Sequence, residues 1–532
     1  MKQIMKGISV AMAALVGVCA LAGCGDNGIQ QGKSGTLKIH YYVGGFDSDE
    51  LHEQISDLYE QKTGVRVNWI PSYTYNEIQN LLYDSTNNND ILMPQLGVWR
   101  AQDMKILEPL DDVYNATPEG QDHAIKDKMS QNLYDYLKTE DGHVYQMSAM
   151  DSVSSLVYNA DVLDEFLGEG KWEVPNTTEE LWAICDRLNE IGKGVADKTS
   201  EDMVYSFVTS SQLLYYWDYL GNVWWAQYDG YESYLNYFEG KYWDEEKETW
   251  EMGPAINNTD GRSIALNETA KMLSTGRGYM HADCKDMGYK QAQQVLIGQG
   301  FGRNRAKAAF MVNGDWLYTE MSGALASQPA DIRMMKPPIL SDLIDILPDG
   351  SVADDAELSA LIDAIDAGST ALQGDGYEVT QPDFDRVKEA RSMIYSATYN
   401  YPVCIPNYIS DTQKQLAKDF LVFYFSDATQ KLIAEYNGGT AAPYGYQPET
   451  DSMSDFLKSR YECISEDTIV ICENPKSRLC YRGGLNDMPA AGSNYIDSLL
   501  IAGTVPSKLL EDSYKQLVET WDTMLVSAGI TG

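Results

Sequence analysis

Beyond its first two dozen residues the chain lacks any apolar run near the ~18–20 residues that a membrane-spanning helix requires, so no later segment reads as a helical span. Basic residues are scarce: 40 Lys and Arg stand against 79 Asp and Glu in 532 residues, a formal charge of −39 at pH 7. That field repels phosphate backbones and anionic headgroups, which excludes nucleic acid and other polyanions as partners. Histidine is rarer still, with five in the chain. His52-Glu53 opens a zinc-protease pattern, but Ser56 occupies the place of the second histidine. No CxxC occurs, and no histidine follows a cysteine at finger-like spacing, so neither a metal nor a cofactor is expected. GIQQGKS (28–34) imitates the tail of a phosphate loop without its first glycine or a preceding strand. GQGFG (298–302) has the wrong spacing for a dinucleotide turn, and GxSxG is absent. A glycosidase-type carboxylate pair is defined by distance in space, so the sequence leaves it open.

What is present begins with an export signal. Lys2 and Lys6 precede an apolar run from Ile8 to Ala22, too short to span a bilayer. Leu21-Ala22-Gly23-Cys24 resembles a bacterial lipobox, which implies a signal peptide over 1–23 and lipidation of Cys24. Acyl chains contribute about 0.8 kcal/mol per buried CH₂, and two or more hold a protein stably at a bilayer. Residues 24–35 then read as a polar tether. Export permits disulfides among Cys185, Cys284, Cys404, Cys463, Cys472 and Cys480; a bridge among the last three and buried thiols both stay open.

Residues 215–231, YYWDYLGNVWWAQYDGY, hold eight Tyr or Trp in seventeen positions. Tyr216, Leu220, Trp224 and Tyr228 follow helical spacing and supply one core-facing stripe. Tyr215, Trp217, Tyr219 and Trp225 fall off it, and Gly221 weakens a continuous helix. Part of this cluster is expected in the core and part lining a cleft.

The rest of the chain alternates strands and helices. TLKIHYYV (36–43) reads as a strand, SDELHEQISDLYEQKTG (48–64) as a helix with Leu51, Ile55 and Leu58 on one face, and VRVNWIP (65–71) as a strand. This βαβ opening predicts an α/β fold with a parallel sheet. With its glycine turn and its EQKTG helix end, the opening resembles family 1 extracellular solute-binding proteins, relatives of maltose-binding protein that serve ATP-binding-cassette importers. Further segments carry the likeness in order: NNNDILMPQLGVWRAQDMKILEPLDD (87–112), HVYQMSAMDSVSSLVYNADVLDEF (143–166), VPNTTEELWAICDRL (174–188), AKAAFMVNGDWLYTEM (306–321), RMMKPPIL (333–340) and DTQKQLAKDFLVFYFSDATQKLIAEYNGGTAAPY (411–444). Two stretches depart from the family pattern, near 215–258 and 341–395. In the second, Asp385, Arg386 and Glu389 read as a solvated charged face.

The resemblance implies a two-lobed fold of the periplasmic-binding-protein type (type II) with a hinge crossed more than once, near 145–150, 398–403 and 446–455. Residues 36–148 and 402–448 would form the first lobe, and 149–401 and 449–532 the second, with both departures as insertions. It further implies a monomer without catalytic residues that carries a carbohydrate, expected to be an oligosaccharide, to importer permease subunits, held outside the cell by the bilayer through Cys24. An exported carbohydrate-active enzyme, or a binder of a non-sugar solute such as a peptide, are the competing classes. Aromatic rings pack on the CH face of a sugar while polar groups take its hydroxyl rim. Trp316 and Asp315, at the end of AAFMVNGDW, head the expected ligand contacts, with Trp224, Trp225 and Trp217 as platforms. Asp47 after the first strand, Gln95 and Trp99 after DILM, and Arg482 in YRGGLNDM complete the set. If Cys24 is the lipid attachment point, Cys24→Ser should appear in the medium or keep its signal uncleaved; a cleaved variant that still sediments with membranes would refute the anchor.

Overall fold

The structure, a computed structural model, describes residues 35–42, 49–94, 96–211, 216–274, 278–374, 377–396, 402–437, 441–446, 453–465, 467–472, 476–485 and 493–530. The signal, the tether, Cys24, Asp47 and Gln95 lie outside these residues, as does the side chain of Trp99. Strand β1 (Gly35–Tyr42), the helix Asp49–Thr63 and β2 (Val65–Ser72) form the expected βαβ unit, with β1 and β2 parallel from Gly35↔Val65 to Tyr42↔Ser72. Adding β3 (Ile91–Met93) gives a parallel sheet of order β2-β1-β3. The helix buries Leu51, His52, Ile55, Tyr59 and Thr63, while Leu58 is exposed. The buried face turns from Leu51 through Ile55 and Tyr59 to Thr63, which leaves residue 58 just outside its edge, about 20° beyond Leu51. A short strand β4 (Met147–Ser148) ends this part of the chain.

A second sheet is built on β5 (Val153–Asn159), buried along its whole length. Its neighbours are β6 (Val204–Phe207), β9 (Lys307–Gly314), β10 (Ile332–Met335), β13 (Met393–Ser396) and β15 (Ile469–Ile471), in the order β15-β13-β5-β9-β6 with β10 also on β5. Small hairpins β7/β8 (Lys241–Asp244, Thr249–Met252) and β11/β12 (Gln373–Gly374, Tyr377–Glu378) stand apart. Between β13 and β15, β14 (Pro402–Val403) pairs antiparallel with β4 back beside the first sheet. One core draws on residues 37–147 and 403–444; the largest core and two smaller ones draw on 153–396 and 456–528. The molecule is therefore two-lobed, and the chain passes between lobes at 149–152, between 396 and 402, and between 446 and 453. Each lobe is a sheet covered by helices, as α/β layers require.

The described residues of both departures from the family pattern form helices and hairpins of the second lobe. Trp217–Gly221 forms a π-helical turn that runs into the helix Asn222–Asp229. The extra residue of a π turn re-aims the rings, so side chains on several faces are covered. Trp217, Trp224 and Trp225 are 1%, 0% and 2% exposed, which corrects their expected role as sugar platforms: a ring without free surface offers no stacking face. Their indoles are satisfied or packed internally. Trp224 Nε1 donates to Pro338 O at 2.9 Å and Trp225 Nε1 to Asp229 Oδ2 at 2.7 Å. The Arg262 guanidinium, itself buried, lies 5.1 Å from the Trp225 ring and 4.7 Å from that of Tyr237. Gly221 is required here because the Trp217 ring leaves no room for a side chain. The second insertion has its own core around Leu343, Leu358, Leu361, Phe384 and Val387. Its Arg386 is mostly buried and donates to Gln227 O and Tyr228 O, so the charged face expected to be solvated instead joins the insertions.

Cys185, Cys284, Cys404 and Cys463 are buried thiols without a disulfide, and Cys472 and Cys480 are also buried. Burial pushes Cys185 and Cys463 up to about 12 and Cys284 to about 11, which makes them unreactive.

His281 is fully buried, accepts from Asp283 N at 3.1 Å and packs 4.8 Å from the Tyr205 ring. Burial lowers its pKa to about 4, against which Asp283 pulls only weakly. The unfolded chain binds a proton near pH 6.5 that the folded chain refuses, so stability should fall as pH drops from about 6.5 to about 4, by roughly 3 kcal/mol from this group. Denaturant melts between pH 7 and 4.5 should show a shallower decline for His281→Asn than for the parent; equal slopes would exclude the assignment.

Candidate ligand-binding cleft

The carboxyl ends of strands from both lobes converge on the passage at 149–152. In the second lobe β9 ends at Gly314 opposite Ser154, and β13 ends at Ser396 opposite Val153. In the first, Leu92 of β3 bridges to Cys404, next to the β4–β14 pair. Ligands of open α/β sheets bind outside such carboxyl ends, where neighbouring strands separate and backbone groups are unpaired.

The passage itself is pinned by charge. Asp315, the residue after β9, accepts from Ser152 Oγ at 2.6 Å, Val153 N at 3.3 Å and Arg460 Nε at 3.0 Å. The Asp315 and Arg460 side chains are 0% and 1% exposed. Arg460 also donates to Asp151 O, lies 3.6 Å from the Asp151 carboxylate and stacks 4.6 Å from the Tyr461 ring. Burial raises the Asp315 carboxyl while Arg460 draws it back, and the two aspartates hold Arg460 charged. Asp315 therefore has no free oxygen for a sugar hydroxyl. The expected ligand contact is a hinge contact.

Next to this pin, the short helix Trp316–Glu320 presents Trp316 and Glu320 one turn apart, hence on one face. The Trp316 ring packs on Gly314 and meets Tyr219 edge-on at 6.0 Å, while part of it stays accessible. Glu320 Oε2 accepts from Gln293 Nε2 at 2.6 Å. Burial raises the Glu320 carboxyl, and the Gln293 contact and Lys290 oppose that. Gln293 is itself buried, and its Oε1 has no hydrogen-bond partner among the described residues. Across the gap stands Tyr42, the last residue of β1: burial raises its phenol, and Tyr289 and Glu320 of the other lobe add to the effect. The Glu320 carboxylate acts on the Tyr42 phenol across the gap, so the two lobes face each other here. Tyr73, directly after β2 on the same edge, is 77% exposed. The constellation is an aromatic wall with acceptor groups set into it.

Of the sequence-predicted contacts, Trp316 alone among the described side chains lies at this edge with accessible ring surface. Arg482 is exposed and pairs with Asp103 of the first lobe. Tyr42, Tyr289, Gln293 and Glu320 were missed. Glu320 was within reach, four residues after Trp316 on a helical pattern; Tyr42 and Tyr289 lie far apart in sequence and in different lobes, which no local pattern bridges. A separate open pocket of about 970 Å³ lies on the second lobe beside β10 and the helix Thr178–Gly194. Its carboxylate Asp366 is taken by Arg391 and Lys336, at 2.7 Å each.

The family model of bacterial extracellular solute-binding proteins matches residues 54–455. The solute receptor AcbH, a bacterial protein with an exclusive preference for β-D-galactopyranose, superposes at a TM-score of 0.54 with 12% identity, covering 92% of this chain and 98% of its own. The binding protein MsmE of Bacillus subtilis, in an open conformation, superposes at 0.53 with 12% identity and the same coverages. At that identity the likeness establishes the two-lobed fold and nothing finer. No curated sequence matches significantly.

Removing one partner of a buried ion pair strands the other, at a cost of about 3–5 kcal/mol. Arg460→Leu should lose that much in a denaturant melt, and Arg460→Leu with Asp315→Asn appreciably less than the two single changes added. Additive losses would mean that the two side chains are not coupled.

Proposed function

The chain belongs to the bacterial extracellular solute-binding proteins, and from that membership we propose that it captures a carbohydrate between its lobes and hands it to the permease of an ATP-binding-cassette importer. The observation that carries the sugar is the pairing, on one helical face, of the accessible Trp316 ring with the Glu320 carboxylate, opposite Tyr42 of the other lobe. A pyranose needs this combination: a ring for its CH face and acceptors for its hydroxyls. Glu320 supplies an acceptor, and the acidic surface disfavours a charged acid. The ligand is accordingly a neutral sugar, probed first with β-D-galactopyranose, for which AcbH has an exclusive preference.

In this reading residues 36–148 and 402–448 close against 149–401 and 449–532, and the sugar leaves unchanged, without catalysis. Cys24 carries the acyl anchor, so a monomer works at the outer face of the cell membrane. Two acyl chains and the tether leave the lobes free to reach the permease.

Thermal shift against a panel of neutral, amino and acidic sugars identifies the ligand, because a ligand at 100 times its Kd adds about 2.7 kcal/mol of apparent stability. With that sugar, calorimetric titration of Trp316→Ala should show about tenfold weaker binding or more. Glu320→Gln keeps the shape but loses the charge, and should weaken binding by a similar factor. Unimpaired binding by both folded variants would remove this face from the site, and turnover of the sugar would replace the transport reading with an enzymatic one.

A further inference from the structure

The segment 476–482, KSRLCYR, carries three basic residues and no acid in a chain of net charge −39. It is mounted on the second lobe. Leu479 and Cys480 are buried in the core that contains Trp521 and Met524, and Ser477 donates to Phe238 O while capping the helix Arg478–Tyr481. All three cations reach across to the first lobe. Lys476 donates to Asp135 O, Arg478 Nη2 lies 2.5 Å from Glu140 Oε2, and Arg482 Nε pairs with Asp103. Between them the Tyr481 ring lies against Gly97, where any side chain would collide with it. The lobes are thus joined by the three chain passages and, well apart from these in sequence, by this noncovalent contact.

We propose that residues 476–482 are an electrostatic clasp that holds the two lobes in the facing arrangement. Its character follows from its exposure. Arg478 and Glu140 keep 35% and 58% of their side-chain surface in water, and Arg482 and Asp103 keep 45% and 24%. A solvent-open pocket of about 230 Å³, lined by Val98, Gln102, Lys138 and Lys476, runs beside the contact. Pairs this wet are individually weak and salt-sensitive, each shifting an equilibrium by a few-fold at most. Together they bias the lobes by about tenfold without locking them. A buried apolar contact would hold the cleft shut permanently; an exposed ionic one releases when competing contacts appear. The clasp deepens the binding reading and rests on it only for its effect on affinity: opening the lobes separates Tyr42 from Glu320 and lowers the binding-competent fraction.

The test is made first without ligand. Spin labels at exposed Gln61 and Lys515, one on each lobe, report the interlobe distance in the mature chain. Arg478→Glu with Arg482→Glu should broaden the distribution toward longer distances, and 1 M salt should do the same to the parent. Adding Asp103→Arg and Glu140→Arg to the reversed pair should restore the parent distribution. If the reversed protein melts early, Asp103→Arg with Glu140→Arg alone probes the same contact from the other lobe. Distances unchanged by charge reversal and by salt, or a widening that the swap fails to restore, overturn the clasp. Failure to find any sugar leaves these outcomes unaffected. With a sugar in hand, charge reversal should weaken binding by about tenfold, while the parent loses affinity as salt rises.

Discussion

A carboxylate and a guanidinium shut away from water sit where the chain passes between its lobes. Asp315 and Arg460 are tolerated there because each is multiply bonded: Ser152, Val153 and Arg460 serve Asp315, and Arg460 donates to Asp315 and to Asp151 O. Much of the rest depends on this point. It joins the end of β9, the first passage and the helix Asp455–Glu462, elements distant in sequence, into one rigid corner. An ion pair suits such a corner better than an apolar patch, since it fixes direction as well as proximity. Trp316 and Glu320 follow Asp315 directly, so the pin also sets their aim.

The molecule divides its aromatic residues between two duties. The rings of 216–225 fill the second lobe around a π turn, supported by Arg262 and by the helices Asp260–Leu273 and Pro506–Ala528. Tyr219 links this packed cluster to the cleft, touching Trp316 on one side and Tyr395, at 4.7 Å, on the other. In the proposed site the insertion would back the Trp316 ring, and a ring held by other rings loses little freedom on binding, which favours affinity.

Charge is distributed with similar economy. The acidic surface repels anions, while five of its scarce basic residues sit at joints: Arg460 at the passage, Arg386 between the insertions, and Lys476, Arg478 and Arg482 between the lobes. In a chain this acidic a cation at a joint finds a partner readily. Burial then decides its strength, from the dry pair at the passage to the wet ones at the lobe edge.

Local pattern alone determined a good deal. The four-residue step of Leu51 and Ile55, the strands on either side and the glycine turn foretold the βαβ opening, because these signals depend only on neighbours in sequence. Helix capping is as local: the Thr177 hydroxyl accepts from Glu180 N at 3.2 Å, and the Glu180 carboxylate accepts from Asn176 N at 2.7 Å. Trp316 was legible as a ring at a strand end. The tertiary structure decided what those signals could not carry. Trp217, Trp224 and Trp225 look alike in sequence whether they face a sugar or a core, and only the covering helices from residues 260–273 and 493–528 turned them inward. Asp315 beside Trp316 reads as a ligand acceptor until Arg460, 145 residues later, claims it. Arg482 reads as a loop arginine until Asp103 appears opposite. In each case the partner lies in another element or another lobe, and the energy that assigns the role, burial or charge pairing, exists only once folding has brought the two together.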